Sequence, residues 1–254
     1  MNVVVTGGGT VAPIDEVRTI TNSSSGRFSA ALTEGFLRLG AEVWHVHAPK
    51  AVLPFRRSAA FDLDGDDAAR EHARLDRLRE EYRDSRERLH LVPVPSGTVQ
   101  DYSATLETVL LESAVDMAVL AMAVSDYEPD PVAGKIDSSG DHLVIHCRKT
   151  PKVIRSVKDW APGVFLVGFK LLAGSTTEEL IGRAERACVD SRADVTVAND
   201  QRTLREGRHT VHLVRPGRPA ETFGPGERMA DDVARRLTEL ARASRLDPAL
   251  RGPV

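Results

Sequence analysis

Short apolar runs alternate with segments of helical periodicity along most of this chain. Asn2–Thr6 and Glu42–His47 are Val-rich runs of the kind that buried parallel strands require. Between them Phe28, Ala31, Leu32, Phe36 and Leu39 recur at helical spacing, and Gly40 stands where a C-cap glycine belongs. That pattern predicts a βαβ unit with an enlarged first loop. Leu89–Val94 reads as a strand, and Thr98–Leu111 as a helix with Val99, Tyr102, Leu106, Val109 and Leu110 on one face. Met117–Val124 reads as a buried strand, and His142–Arg148 alternates like a strand exposed on one side. Pro151–Trp160 predicts a short helix and Val164–Phe169 a strand. Ser175–Glu178 has the form of a capping box for a helix running to Ser191. Asp194–Ala198 is a further buried strand; His209–Arg215 and Pro219–Phe223 suit a hairpin that turns at Pro216-Gly217. Glu227–Ala243 is a closing amphipathic helix. The alternation predicts an α/β fold, a doubly wound, mostly parallel Rossmann-like sheet with ligands at the carboxyl ends of its strands.

One stretch breaks the rhythm. Lys50–Leu63 has no clear period, and Asp64–Leu89 is a dense charged run in which Ala68, Leu75, Leu78 and Tyr82 are the only regular apolar points. Residues 50–97 therefore read as an insertion carrying a solvated helix, with a lid as the alternative use.

Composition sets bounds on this picture. The 254 residues suit one large domain over 1–254, and 41% apolar residues are enough for a core. A net charge of −3 offers no basic field for nucleic acid. The longest apolar run is too short to span a bilayer, and the chain starts directly with a strand, so neither membrane nor signal peptide is expected. Cys147 and Cys188 are too few for a disulfide framework and read as reduced core or near-core residues of a cytoplasmic protein.

Candidate chemistry gathers after the strands. Gly7-Gly8-Gly9-Thr10 follows the first strand, and Arg18 to Gly26 adds an Arg, Asn22 and the small residues Ser24, Ser25 and Gly26 just before a helix. Two such loops suit a phosphorylated ligand held by backbone N–H groups and a helix N-terminus. Arg18 and Asn22 add a cation and an amide that could orient a carboxylate or phosphate. Asp126, just past a buried strand, suits a cation or a ribose hydroxyl, and equally a turn. Phe169 ends a strand and suits a base stack or the core. Lys135 lies in a loop flanked by Gly134 and Gly140 that could fold over a ligand, or be plain surface. Gly7 to Ala12 nominally fits a dinucleotide fingerprint, but Pro13 follows and the helix starts only after Gly26, so the loop does not open the helix. His45 and His47 share a strand face without a third metal ligand.

Taken in order, Thr6–Thr10, Pro13–Arg18, Thr21–Gly26, Ala123–Tyr127, Lys135-Ile136, Lys149–Lys152, Val167–Lys170 and Val197–Asp200 resemble phosphopantothenate–cysteine ligase, of the stand-alone type. The resemblance runs from Val3 to about Gln201 and more loosely to the last helix. It implies that a nucleoside triphosphate, ATP or CTP, activates 4′-phosphopantothenate as an acyl-nucleotidylate, which cysteine then captures as an amide in coenzyme A biosynthesis. By resemblance Asn22 contacts the acyl intermediate, Arg18 is its partner, and Lys135 meets the phosphoryl groups. Asp126 lies near the nucleotide and its Mg2+, Phe169 and Ala123 lie at the base, and Gly8, Gly9, Ser24, Ser25 and Gly26 belong to the phosphate loops. The resemblance also implies no flavin, and a homodimer built partly by a small β arm and flap over 135–155. Lys135 lacks the further lysine of the bacterial loop, and Phe169 is followed by Lys170-Leu171-Leu172, departures that favour ATP. Alternatives are a diverged ligase for another acid or amine, an NAD(P)-dependent reductase, and a non-catalytic nucleotide-binding protein.

Overall fold

A computed structural model describes residues 1–246. β1 (Asn2–Gly7) leads into a small ribbon of β2 (Val11–Pro13) and β3 (Thr19–Thr21), and α1 (Arg27–Arg38) follows. β4 (Glu42–His47), α2 (Ala68–Ser85), β5 (Leu89–Pro93), α3 (Val99–Glu112) and β6 (Met117–Leu120) complete the first half. Then come β7 (Tyr127–Pro129), β8 (Cys147–Lys149), α4 (Val157–Trp160), β9 (Phe165–Leu172), α5 (Thr177–Ser191) and β10 (Val195–Asp200). The chain closes with α6 (Gln201–Arg205), β11 (Val211–Val214), β12 (Glu221–Phe223) and α7 (Met229–Leu246).

The central sheet has the order β12-β11-β10-β9-β6-β1-β4-β5. Its strands from β5 to β10 are parallel, and the β11–β12 hairpin adds antiparallel strands at one edge. Strand order reverses at β1, which lies between β4 and β6. A doubly wound sheet opens a crevice at that switch point, beyond the carboxyl ends of the strands. Val3, Val4 and Val5 of β1 are all fully buried because helices cover both sheet faces. Val3 and Val5 pack with Leu32 and Phe36 of α1 and Val233 and Leu237 of α7. Val4 packs with Tyr102 and Leu106 of α3 and Val157 of α4. Leu180 and Ala184 of α5 cover Ala198 and Val214. A Cβ at Gly35 would lie 3.0 Å from Ala234 Cβ, so a glycine lets α1 and α7 approach closely.

Several expectations are corrected. The apolar run 117–124 is strand only to Leu120, because Met122 N then turns to Thr6 Oγ1 at 3.1 Å. Of His142–Arg148, only Cys147 and Arg148 enter a strand, β8, whose partner β7 is three residues long. Cys147 is exposed, whereas Cys188 is buried against Thr196 Oγ1 at 3.0 Å. The capping box is Thr176 with Glu179, one residue later than the pattern suggests. Residues 50–97 include the largely solvated helix α2, and also β5 at the edge of the central sheet.

Glu34 braces the start of that stretch. Its buried carboxylate accepts from Phe55 N at 2.7 Å and from Arg57 Nη2 at 2.8 Å. Phe55 is held at φ 62°, a conformation a non-glycine residue rarely keeps unaided. Glu34→Ala strands a buried N–H and a guanidinium, and is expected to cost about 3 kcal/mol. Urea unfolding measures this; a change below about 0.5 kcal/mol would reject the brace.

Candidate active site

The loops after β1 and before α1 interlock at backbone distance. Gly8 has φ 93°, and a Cβ there would sit 2.8 Å from both Ala48 Cβ and Ala51 Cβ. Gly26, with φ 76°, caps α1 and presses on Gly8, where its Cβ would fall 3.1 Å from Gly8 N. A Cβ on Gly9 would fall 2.5 Å from Asn22 O. Gly9→Ala therefore has to push the Asn22 backbone aside. It is expected to lower kcat/KM at least about tenfold through misplacement of Asn22, with steady-state kinetics as the check and wild-type kinetics as the contrary result.

The N-terminus of α1 is open. Among the described residues, Gly26 gives no side-chain cap and the first turn holds no acid. Ser25 Oγ reaches Arg27 N only at 3.4 Å. Ser24 and Asn22 are half-buried and Ser25 is exposed. Free N–H groups and the positive end of the helix dipole make this a place for an anion.

The loop after β6 is fastened across the switch point. Ala123 N donates to Gly8 O at 2.9 Å, and Thr10 N to Ala123 O at 3.0 Å. Ser125 N donates to the buried Thr10 Oγ1 at 2.9 Å. Thr150 then clamps the loop, N to Asp126 O at 3.0 Å and Oγ1 to Ser125 O at 2.5 Å. The exposed Asp126 carboxylate is ion-paired with Lys152. Sequence reasoning did not single out Thr10, Thr150 and Lys152 as site residues; their signal is that Thr6–Thr10 and Lys149–Lys152 are among the segments that carry the family resemblance.

Arg18 and the Lys135 loop meet at the turn end of the β2–β3 ribbon. Arg18 Nη1 donates to Ile136 O at 3.3 Å and pairs with Asp15 Oδ2 at 3.2 Å. Burial pulls the Asp15 pKa up. The N–H donors of Val17, Ile136 and Arg18, with the Arg18 charge, outweigh it, so the carboxyl sits below its usual value. Lys135 is exposed and has no ion pair among the described residues. Phe169 is half-buried on β9, edge-on to Phe28 of α1 with centroids 6.2 Å apart. Phe28 in turn meets His209 edge-on at 4.8 Å. Gly8, Gly9, Asn22, Gly26 and Ala123 are thus in direct backbone contact. Among the described residues no hydrogen bond ties Lys135 or Phe169 to that cradle. His45 packs under it, bonded through Nδ1 to Thr33 Oγ1 at 2.8 Å.

The family described as DNA/pantothenate metabolism flavoprotein C-terminal domain matches residues 1–64 and 86–242. Phosphopantothenate–cysteine ligase 1 of Oryza sativa subsp. japonica is 34% identical over 223 residues, covering 80% of this chain and 69% of that protein. The chain belongs to the phosphopantothenate–cysteine ligase family. The coenzyme A biosynthesis bifunctional protein CoaBC of Thermococcus kodakarensis is 32% identical over 212 residues, covering 84% of this chain. The chain spans only 44% of that bifunctional relative. Among solved structures, the DNA/pantothenate metabolism flavoprotein from Streptococcus pneumoniae has a TM-score of 0.74 at 25% identity, covering 96% of this chain and 99% of its own. A Cab2 variant in complex with phosphopantothenate-cysteine has the same fold, with a TM-score of 0.79 at 22% identity over 98% of this chain and 88% of its own. The family match skips residues 65–85, which hold all of α2.

Proposed function

We propose that this family member joins cysteine to 4′-phosphopantothenate at the expense of a nucleoside triphosphate. The observation that carries the reading is the cradle in which Gly8, Gly9, Gly26 and Asn22 meet at the open N-terminus of α1, in a chain of this family. In the first half-reaction a carboxylate oxygen of the acid attacks the α-phosphorus and pyrophosphate leaves. In the second, the cysteine amine attacks the acyl carbon, loses a proton, and the nucleoside monophosphate leaves. Activation is needed because a free carboxylate resists nucleophiles, and the protein's part is orientation and charge stabilisation.

Backbone N–H groups around Gly8, Gly9, Ser25 and Gly26 hold phosphate, and Ser24, whose N–H is taken by Asn22 O at 2.8 Å, adds its hydroxyl. The Asn22 amide orients the acyl group, with Arg18 as its cationic partner. Lys135 reaches the phosphoryl groups from its exposed loop. Phe169 and the Ala123 backbone border the base.

Among the described residues no group of three His, Cys, Asp or Glu side chains could hold a resident metal ion. A single carboxylate beside substrate phosphates suits Mg2+ carried by the nucleotide, and Asp126 is that carboxylate once Lys152 lets go. When bound, the ion neutralises phosphate charge. ATP is the proposed co-substrate, on the residues that follow Phe169. A homodimer through the arm is the proposed assembly, where Leu143, Val144 and Ile145 are 49%, 72% and 37% exposed. No helix among the described residues is long and apolar enough to cross a membrane, and the cytoplasm is the proposed compartment.

The test is pyrophosphate release from the purified protein with magnesium and 4′-phosphopantothenate, comparing ATP with CTP and with or without cysteine. A cysteine-dependent amide seen by mass spectrometry supports the reading and names the nucleotide. No release with either nucleotide rejects it.

A further inference from the structure

We propose that Asp15 is a positioning residue of the ligation, holding the Lys135 loop and Arg18 in one fixed relation. The inference rests on the ligase reading above. Asp15 lies in the turn between β2 and β3, outside the cradle, with its side chain buried. Oδ1 accepts from Val17 N at 2.9 Å and Arg18 N at 2.7 Å. Oδ2 accepts from Ile136 N at 3.0 Å and Arg18 Nη1 at 3.2 Å. These donors occupy the acceptor sites of an ionised carboxylate. Asp15 therefore has nothing left to offer a substrate, and acts through the groups it holds.

Those groups flank the two cations assigned to the chemistry. Ile136 follows Lys135 directly, and Arg18 Nη1 also reaches Ile136 O at 3.3 Å. On the other side of Lys135, Glu16 N donates to Gly134 O at 3.1 Å, and Gly134 N donates back to Glu16 Oε1 at 3.1 Å. Val132 N donates to Ile14 O at 3.0 Å. The turn and the loop are laced together on both sides of Lys135, while the Lys135 side chain stays exposed. A lysine has a long flexible stem, so only its backbone anchor limits where the ammonium goes. Hydrogen bonds to an ionised carboxylate are the strong kind, and a displacement of about 1 Å at a reacting group costs on the order of 10²-fold in rate. Asn at this position would keep the shape, lose the charge and turn an NH2 towards present donors.

The experiment introduces Asp15→Asn into the wild type and into Lys135→Ala, and follows amide-product kinetics with backbone hydrogen exchange. In the wild type kcat is expected to fall roughly 10- to 100-fold, with KM for the triphosphate within about threefold. Exchange at the Ile136 N–H is expected to rise at least about tenfold. In Lys135→Ala the further loss is expected to be several-fold smaller than in the wild type, because Arg18 is then the one cation left to misplace. A loss that multiplies in full in the Lys135→Ala background overturns the proposal, and so does unchanged Ile136 exchange. Ile136→Pro, which removes the N–H that Asp15 holds and also restricts the backbone at Lys135, serves where Asp15→Asn fails to fold; wild-type turnover in that variant overturns the proposal too. If the wild type forms no amide, the ligase reading fails, and Ile136 exchange still decides whether Asp15 holds the loop.

Discussion

Lys135→Ala is expected to lower kcat roughly 10²- to 10³-fold and to leave the unfolding midpoint where it was. The two halves of that statement have separate grounds. Stability is spared because the loop is held by backbone groups of Val132, Gly134 and Ile136, while the Lys135 side chain is exposed and pairs with no acid among the described residues. Surface truncations of that kind usually change stability by less than about 0.5 kcal/mol. Rate is lost because pyrophosphate departs with charge that an ammonium can stabilise in the transition state more than in the ground state. Lys135→Arg should recover only part of the rate, since a planar guanidinium replaces a compact point charge. Single-turnover pyrophosphate release reads the first half-reaction directly, and thermal unfolding reads the fold. Wild-type turnover in Lys135→Ala would remove this residue from the mechanism.

The sheet was legible in the sequence where burial on both faces makes a continuous apolar run, as at Val3–Val5 and Met117–Leu120. Periodicity misleads where the chain leaves the sheet yet stays apolar. Met117–Val124 reads as one strand, but Met122 and Ala123 spend their backbone groups on Thr6, Gly8 and Thr10. The capping box slips by one for a long-range reason. Ser175 N and Oγ are taken by Asp200 Oδ2 at 2.9 and 3.2 Å, so Thr176 is the hydroxyl left to cap α5.

The candidate site divides in the same way. Glycines and serines around Gly8, Gly9 and Gly26 announce close backbone approach by composition alone, and the structure brings them to that approach. Asp15 gives no such signal. An Asp in a turn looks the same whether it serves only its own loop or also a backbone N–H far along the chain, at Ile136. Lys152 is hidden for a similar reason, since its partner Asp126 lies in a different loop.

His45 carries the second large expectation, a loss of stability in acid. Its side chain lies beneath the glycine loop, fully buried, with Cε1 3.4 Å from where a Gly7 Cβ would be. Thr33 holds Nδ1, Nε2 has no partner among the described residues, and the His47 ring stacks at 6.1 Å. Burial, and secondarily the neighbouring His47, push its pKa down from 6.5 to about 3. The sign follows from which state binds the proton. Above the unfolded value both states are neutral, and His45 gives no pH dependence. Below it the unfolded chain takes up a proton that the folded chain refuses, so stability falls as pH falls, until the folded value is reached. Between about pH 7 and pH 4.5 this single group should remove on the order of 3 kcal/mol. Carboxylates such as Glu221, held below its usual value first by its hydrogen bond to Arg236, add their own losses in stronger acid. The contribution of His45 is therefore the difference between wild type and His45→Gln, which cannot titrate. Urea unfolding at stepped pH should show the wild type losing stability faster than His45→Gln from about pH 6.5 downward. Parallel curves would mean that His45 is protonated in the fold, and that the glycine loop rests on a charged ring.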